Sequence, residues 1–211
     1  KVVRQADSFT ARVRNEIAIN SSLDHPHIAR LFDVYEDRAH VYMVFEMCNG
    51  EDLVNALTAR RELLGEPDIL HLAGQLLWAV NYLHSKCIAH RDLKLDNLLL
   101  KEGVEDFSQA QLKLVDFGLS KRFEPGTTSM RTRLGSALYV APEVVAGPDR
   151  SGAPTRYTEK CDVWSCGVVL FMFVANRAPF DGADDQAILR RVLSERVCFH
   201  SNEWRRVSED M

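Results

Sequence analysis

Apolar positions recur at two periods along this chain of 211 residues. Ile69, Leu72, Ala73, Leu76, Leu77, Val80 and Leu83 fall three and four apart, which predicts a long helix with one buried face. Pro67 suits the first turn of that helix, where a missing N–H is no loss. Phe9, Val13, Ile17 and Ala18 predict an earlier helix with Ser8 as its cap, and residues 53–60 a short one. Residues 28–35 and 40–47 read as two strands around the polar turn Glu36-Asp37-Arg38, and Lys1-Val2-Val3 as the end of another. Leu112-Lys113-Leu114-Val115 alternates as a strand, whereas residues 168–174 form an apolar run read as a buried helix. Residues 101–111 are polar and acidic and read as a surface loop, and residues 150–156 as a second insertion. The mixture predicts an α+β chain.

Composition narrows the picture. A hydrophobic content of 46% supports a sizeable core, and a net charge of -4 gives no reason to expect nucleic acid or an acidic membrane as partner. No apolar run is long enough to span a bilayer. The five cysteines form no Cys-x-x-Cys pair, so reduced thiols in an intracellular, cytoplasmic setting are expected. His84, Cys87 and His90 invite a zinc reading, but a fourth ligand at suitable spacing is missing.

The charged run His90-Arg91-Asp92-Leu93-Lys94-Leu95-Asp96-Asn97 sits between two strongly apolar segments, which a solvated loop does not explain. Asp116-Phe117-Gly118 follows 19 residues after Asn97, and Ala141-Pro142-Glu143 later. This ordered set resembles the protein-kinase signature. Phosphoryl transfer needs an aligned hydroxyl nucleophile and neutralised phosphate charge. Asp92 is then the residue that accepts or orients the hydroxyl proton. Asn97 and Asp116 supply hard oxygen ligands suited to Mg²⁺, and Lys94 places a cation beside the transferring phosphate. Lysine at that place resembles the serine/threonine kinases.

Further roles follow from the resemblance alone. Lys1 and Glu16 match the strand lysine and helix glutamate that hold the ATP phosphates. Phe45-Glu46-Met47-Cys48 resembles the hinge between kinase lobes. Glu46 and Cys48 would bond adenine by their backbones, Phe45 would close the back of the pocket, and Leu99 would line it. Asp52 and Asp96 stand where related kinases read a basic residue of the protein substrate, Asp52 also where a ribose hydroxyl is read. Thr132 lies where many kinases are phosphorylated, and Arg91 where such kinases hold that phosphate. Ser136 keeps a hydroxyl near Asp92, and Asp162 is expected to support the backbone of the catalytic loop. Asn20 departs from the pattern: the family usually has an apolar residue four after the glutamate. It is expected to weaken the active assembly or to be turned outward.

Cys198-Phe199, Trp204 and Val207-Ser208-Glu209 resemble the calcium-dependent and calmodulin-dependent kinases. The resemblance implies a two-lobed fold incomplete at both ends, with residues 1–47 the remainder of the small lobe and residues 48–211 the hinge and most of the large lobe. No glycine-rich loop precedes Lys1, so the fragment alone is expected to be inactive. The implied activity of the parent is ATP-dependent phosphorylation of serine and threonine on protein substrates. A calcium sensor or calmodulin contact would lie outside the chain, which has no calcium-loop motif. The alternative from another class is a non-catalytic kinase-like scaffold or allosteric module.

Overall fold

The structure, a computed structural model, describes residues 1–4, 9–60, 62–125, 130, 135–146, 157–199 and 202–208. Ser8, Thr132 and the insertion at 150–156 lie outside the described residues. Strands β1 (Val2–Arg4), β2 (Leu31–Glu36) and β3 (His40–Phe45) form an antiparallel sheet in the order β1-β3-β2. β2 starts later than the periodicity predicts, because Ile28 pairs instead with Leu114 of the hairpin described below. Helix α1 (Phe9–Asn20) packs on this sheet, with Val13, Val41 and Met43 at the centre of the contact. Its buried face differs from the predicted one: Ala18 is exposed, whereas Glu16, Ile19 and Asn20 are buried.

The chain then becomes mainly helical. Short α2 (Leu53–Thr58) is followed by α3 (Glu66–Ser85) and, later, α4 (Pro142–Val145), α5 (Lys160–Ala175) and α6 (Asp185–Ser194). Six of the seven residues predicted to face inward from α3 are buried. The exception, Leu77, lines an apolar groove of about 500 Å³ shared with α5 and Trp204. α5 is apolar on nearly all sides and runs through the core, which is what an unbroken apolar sequence requires of a helix in water. The whole carries the α+β character of an incomplete two-lobed arrangement.

Two two-stranded sheets follow, the first a hairpin and the second enclosing it in sequence. Strands β5 (Leu98–Leu100) and β6 (Leu112–Leu114) pair antiparallel, as do β4 (Ile88–Ala89) and β7 (Lys121–Arg122). The segment between β5 and β6 is not merely a surface loop. Phe107 and Ala110 are buried, and Gln75 of α3 donates to the Ala110 carbonyl at 2.8 Å while accepting from the Leu112 N–H at 2.8 Å. Gly50 is required where the chain crosses this hairpin: a Cβ there would lie 2.6 Å from that of Leu100.

Candidate active site

The turn after β4 carries His90, Arg91 and Asp92, and its shape is held from below by α5. The Asp162 carboxylate, fully buried, accepts from the backbone N–H groups of His90 and Arg91 at 2.8 Å each and is 2.9 Å from His84 Nε2. Arg91 has φ 68° and Asp116 φ 60°, left-handed values that non-glycine residues seldom adopt and that cluster at functional sites. The buried acceptors of Asp162 help keep Arg91 there.

The His90 ring accepts from the Asp92 N–H at its Nδ1 and lies 3.2 Å from the Val115 carbonyl through Nε2. One accepting and one donating nitrogen is the pattern of a neutral imidazole. Burial, the largest influence, also pushes the His90 pKa down against the nearby carboxylates, and burial lowers His25 and His27 too. Below an ordinary imidazole pKa of about 6.5 the unfolded chain takes up protons that the fold refuses. Stability should therefore fall as pH drops through about 6.5 and be fully present above it. Urea midpoints between about pH 5 and pH 8 check this; a midpoint unchanged across that window contradicts it.

Around Asp92 the predicted residues come together. Asn97 Nδ2 donates to the Asp92 carbonyl at 2.8 Å and to Oδ2 at 3.3 Å. Lys94 Nζ lies 3.2 Å from Asp92 Oδ2 and donates to Ser136 Oγ at 3.2 Å, and Ser136 in turn reaches Asp92 Oδ1 at 3.3 Å. Across the cleft Lys1 Nζ sits 2.5 Å from Glu16 Oε1 and 3.0 Å from Asp116 Oδ1. Burial opposes the charge on Lys1, but the hydrogen bonds it donates to its two carboxylate partners outweigh it and raise the pKa. Burial likewise pushes Asp116 up, and Lys1 more than reverses this, so the carboxyl stays below its ordinary value. Phe117 is buried with its ring 4.9 Å from and edge-on to that of His90.

A cavity of about 340 Å³ opens beside Lys1 and is lined by Phe45, Glu46, Cys48, Leu99 and Asp116 among others. The Glu46 side chain turns away from any ligand role of its own: its Oε1 is 2.8 Å from Lys113 Nζ and 3.0 Å from Lys101 Nζ. Burial would raise its pKa, but the two lysines hold it down. The Cys48 thiol is pushed up, first by burial and then by Glu46, which keeps it protonated.

Two predicted residues have additional partners. Asp52 caps α2: its Oδ1 accepts from the Asn55 N–H at 2.9 Å and its Oδ2 from Asn55 Nδ2 at 2.7 Å. Arg91 donates through Nε to the Leu119 carbonyl at 2.7 Å and through Nη1 to the Tyr157 hydroxyl at 3.3 Å, while Thr132 lies outside the described residues. Asp96 is exposed on the rim of a separate cavity of about 450 Å³ that also includes Lys94 and Ser136. Arg12 and Asn15 escaped sequence reading. Arg12 Nε donates to the Gly118 carbonyl and Asn15 Nδ2 to that of Ser120, each at 2.8 Å, fastening α1 to the segment after Asp116.

Asn20 is turned inward, 2% exposed, so the outward alternative does not hold. Its Nδ2 donates to the Glu16 carbonyl one turn back, and its Oδ1 is buried without a partner. An orphaned acceptor costs about 1–3 kcal/mol. Replacing it with an apolar side chain of similar volume, Asn20→Leu, should raise the unfolding free energy by about that much. Denaturant titration checks this; a destabilised variant contradicts it.

The family described as "Protein kinase domain" matches residues 1–211. The chain belongs to the protein kinase domain family. Calcium-dependent protein kinase 5 of Plasmodium falciparum (isolate 3D7) is 33% identical over 199 residues, covering 94% of this chain and 33% of that protein. Calcium-dependent protein kinase 4 of Plasmodium berghei (strain Anka) is 33% identical over 195 residues, covering 92% of this chain and 34% of the relative. Calcium-dependent protein kinase 3 of the same strain is 32% identical over 199 residues, covering 94% and 34%. The chain thus spans about a third of the length of these curated relatives.

Proposed function

We propose that the intact protein transfers the terminal phosphoryl group of ATP to serine and threonine hydroxyls of protein substrates. One observation carries the reading: Lys1 bridges Glu16 and Asp116 while, across the cleft, Lys94, Asn97 and Ser136 converge on the half-buried Asp92. An assembled cation and an oriented carboxylate are what a reaction governed by positioning and charge stabilisation requires.

In this reading Glu46 and Cys48 meet the adenine edge through their backbones, Leu99 lies against the ring and Phe45 closes the rear. Lys1 holds the phosphates, and Asp92 orients the acceptor hydroxyl and takes its proton. Lys94 neutralises the transferring group. The donor set fits Mg²⁺: Asn97 has its amide nitrogen committed to Asp92, which leaves its carbonyl oxygen, and the Asp116 carboxylate is half exposed. Two oxygen donors suffice for a cation that keeps several waters and substrate phosphates. When bound, Mg²⁺ neutralises phosphate charge. Residues 1–47 act as the remainder of the small lobe and 48–211 as the hinge and most of the large lobe. The relatives are named calcium-dependent; a calcium sensor or calmodulin contact for this protein would belong outside residues 1–211, and Thr132 would answer to Arg91 once phosphorylated. The five free cysteines support an intracellular, cytoplasmic setting.

Asp96 and, where its cap allows, Asp52 select a basic residue, arginine foremost, three positions before the acceptor. A positional-scanning peptide library with labelled ATP and the full-length protein tests this. Enrichment of arginine at that position is expected. Phosphorylation with no basic preference removes the two aspartates from substrate reading and leaves Asp52 as a helix cap.

A further inference from the structure

Lys101 follows β5, 54 residues beyond Met47, and no step of the phosphoryl-transfer reading uses it. It nevertheless holds residues 46–49 at three points. Its Nζ donates to the Met47 carbonyl at 2.7 Å and lies 3.0 Å from Glu46 Oε1, and its own carbonyl accepts from the Asn49 N–H at 2.9 Å. The Lys101 N–H donates in turn to the Gln111 carbonyl at 2.8 Å, which ties it to the chain entering β6. Ion pairs near a surface contribute little by themselves, and Glu46 also has Lys113 Nζ at 2.8 Å. The bond to the Met47 carbonyl is of another kind. Among the described residues no backbone group bonds the Met47–Cys48 peptide, so this charge-assisted contact is what orients it.

The orientation has a chemical consequence. A trans peptide sets its C=O and N–H in opposite directions, and the described chain has no cis bond. With the Met47 carbonyl drawn to Lys101, the Cys48 N–H is turned the other way, and Cys48 lines the cavity beside Lys1 whereas Met47 does not. An ammonium on the carbonyl oxygen also polarises the amide and strengthens its N–H as a donor.

We infer that Lys101 is a positioning residue that sets the nucleobase specificity of this cavity, by holding the Met47–Cys48 peptide with its N–H toward the base. The inference rests on the nucleotide reading and goes beyond it by naming what selects the base. Adenine offers an acceptor at N1, which the Cys48 N–H satisfies. Hypoxanthine and guanine carry a hydrogen there and meet that N–H donor to donor. Released from Lys101, the peptide is free to turn over and present the Met47 carbonyl, an acceptor that suits the N1–H.

Calorimetric titration of Mg·ATP and of the magnesium complex of inosine triphosphate into the full-length protein tests this, with steady-state kinetics on both nucleotides, for wild type, Lys101→Met and Lys101→Ala. The two nucleotides share ribose and triphosphate, so the loss of a positive charge weakens both alike and cancels in their ratio. Wild type should prefer ATP by at least about 100-fold, and both variants should shrink that preference about tenfold through Kd and KM, with kcat for ATP within about twofold of wild type. If one variant fails to fold, the other and the wild-type ratio decide. A preference unchanged in the variants overturns the inference. So does a fall in kcat with both nucleotides at constant ratio, which would make Lys101 a structural tie alone, or a wild type that does not discriminate. Those results leave nucleotide binding standing. A wild type that binds neither nucleotide contradicts the nucleotide reading of the cavity and removes the inference with it.

Discussion

Asp92→Asn should leave the protein folded and able to bind Mg·ATP while lowering phosphoryl transfer by about 10²–10⁴-fold, the usual worth of a positioned general base. The asparagine oxygen can still accept from Ser136, which reaches Asp92 Oδ1 at 3.3 Å, so the loop need not collapse. What disappears is the negative charge that pairs with Lys94 at 3.2 Å and the basic oxygen that the proposed reaction would use to take the hydroxyl proton. Single-turnover kinetics with saturating ATP isolate the chemical step. Turnover near that of wild type would remove Asp92 from the reaction.

Asp162→Ala should be the most damaging substitution for stability. The carboxylate is fully buried and is the acceptor for the backbone N–H groups of His90 and Arg91, with His84 Nε2 also 2.9 Å away. Truncation leaves these buried donors without their charge-assisted partner, and breaking such a buried arrangement costs about 3–5 kcal/mol. Against a domain stability of about 5–15 kcal/mol, that is a large share. The loss should also reach function below the melting temperature, because the two freed amides belong to the turn that presents Asp92. Asp162→Asn keeps one acceptor and should fall between. Thermal unfolding, with activity measured well below the transition, checks both effects. An alanine variant within about 1 kcal/mol of wild type would show that water or neighbouring groups replace the carboxylate.

The parts of the fold that were legible in the sequence are those with a period or a motif. α3 shows its buried face at helical spacing because one element supplies the whole signal. Asp92, Lys94, Asn97 and Asp116 are recognisable because their chemistry confines them to short, ordered runs. The illegible parts are pairings between distant segments. Phe107 looks like a lone aromatic in a polar loop, and nothing local shows that Gln75 secures the residues after it. Arg12 and Asn15 read as a solvated helix face until the Gly118 and Ser120 carbonyls are brought to them. The cap that Asp52 gives α2 is consistent with its position just before Leu53, a place that equally suits a substrate-reading acid. The apolar pattern of α1 points Ala18 inward, whereas charge pairing with Lys1 takes Glu16 inward instead.

The most direct test of the central claim is transfer of the terminal phosphate of labelled ATP by the full-length protein to peptides carrying serine, threonine or alanine at one position, with Mg²⁺ and with EDTA. The account predicts phosphoserine and phosphothreonine, dependent on Mg²⁺, and no label on the alanine peptide. A folded protein that binds Mg·ATP yet transfers no phosphate to any acceptor would contradict it and favour a scaffold built on the kinase fold.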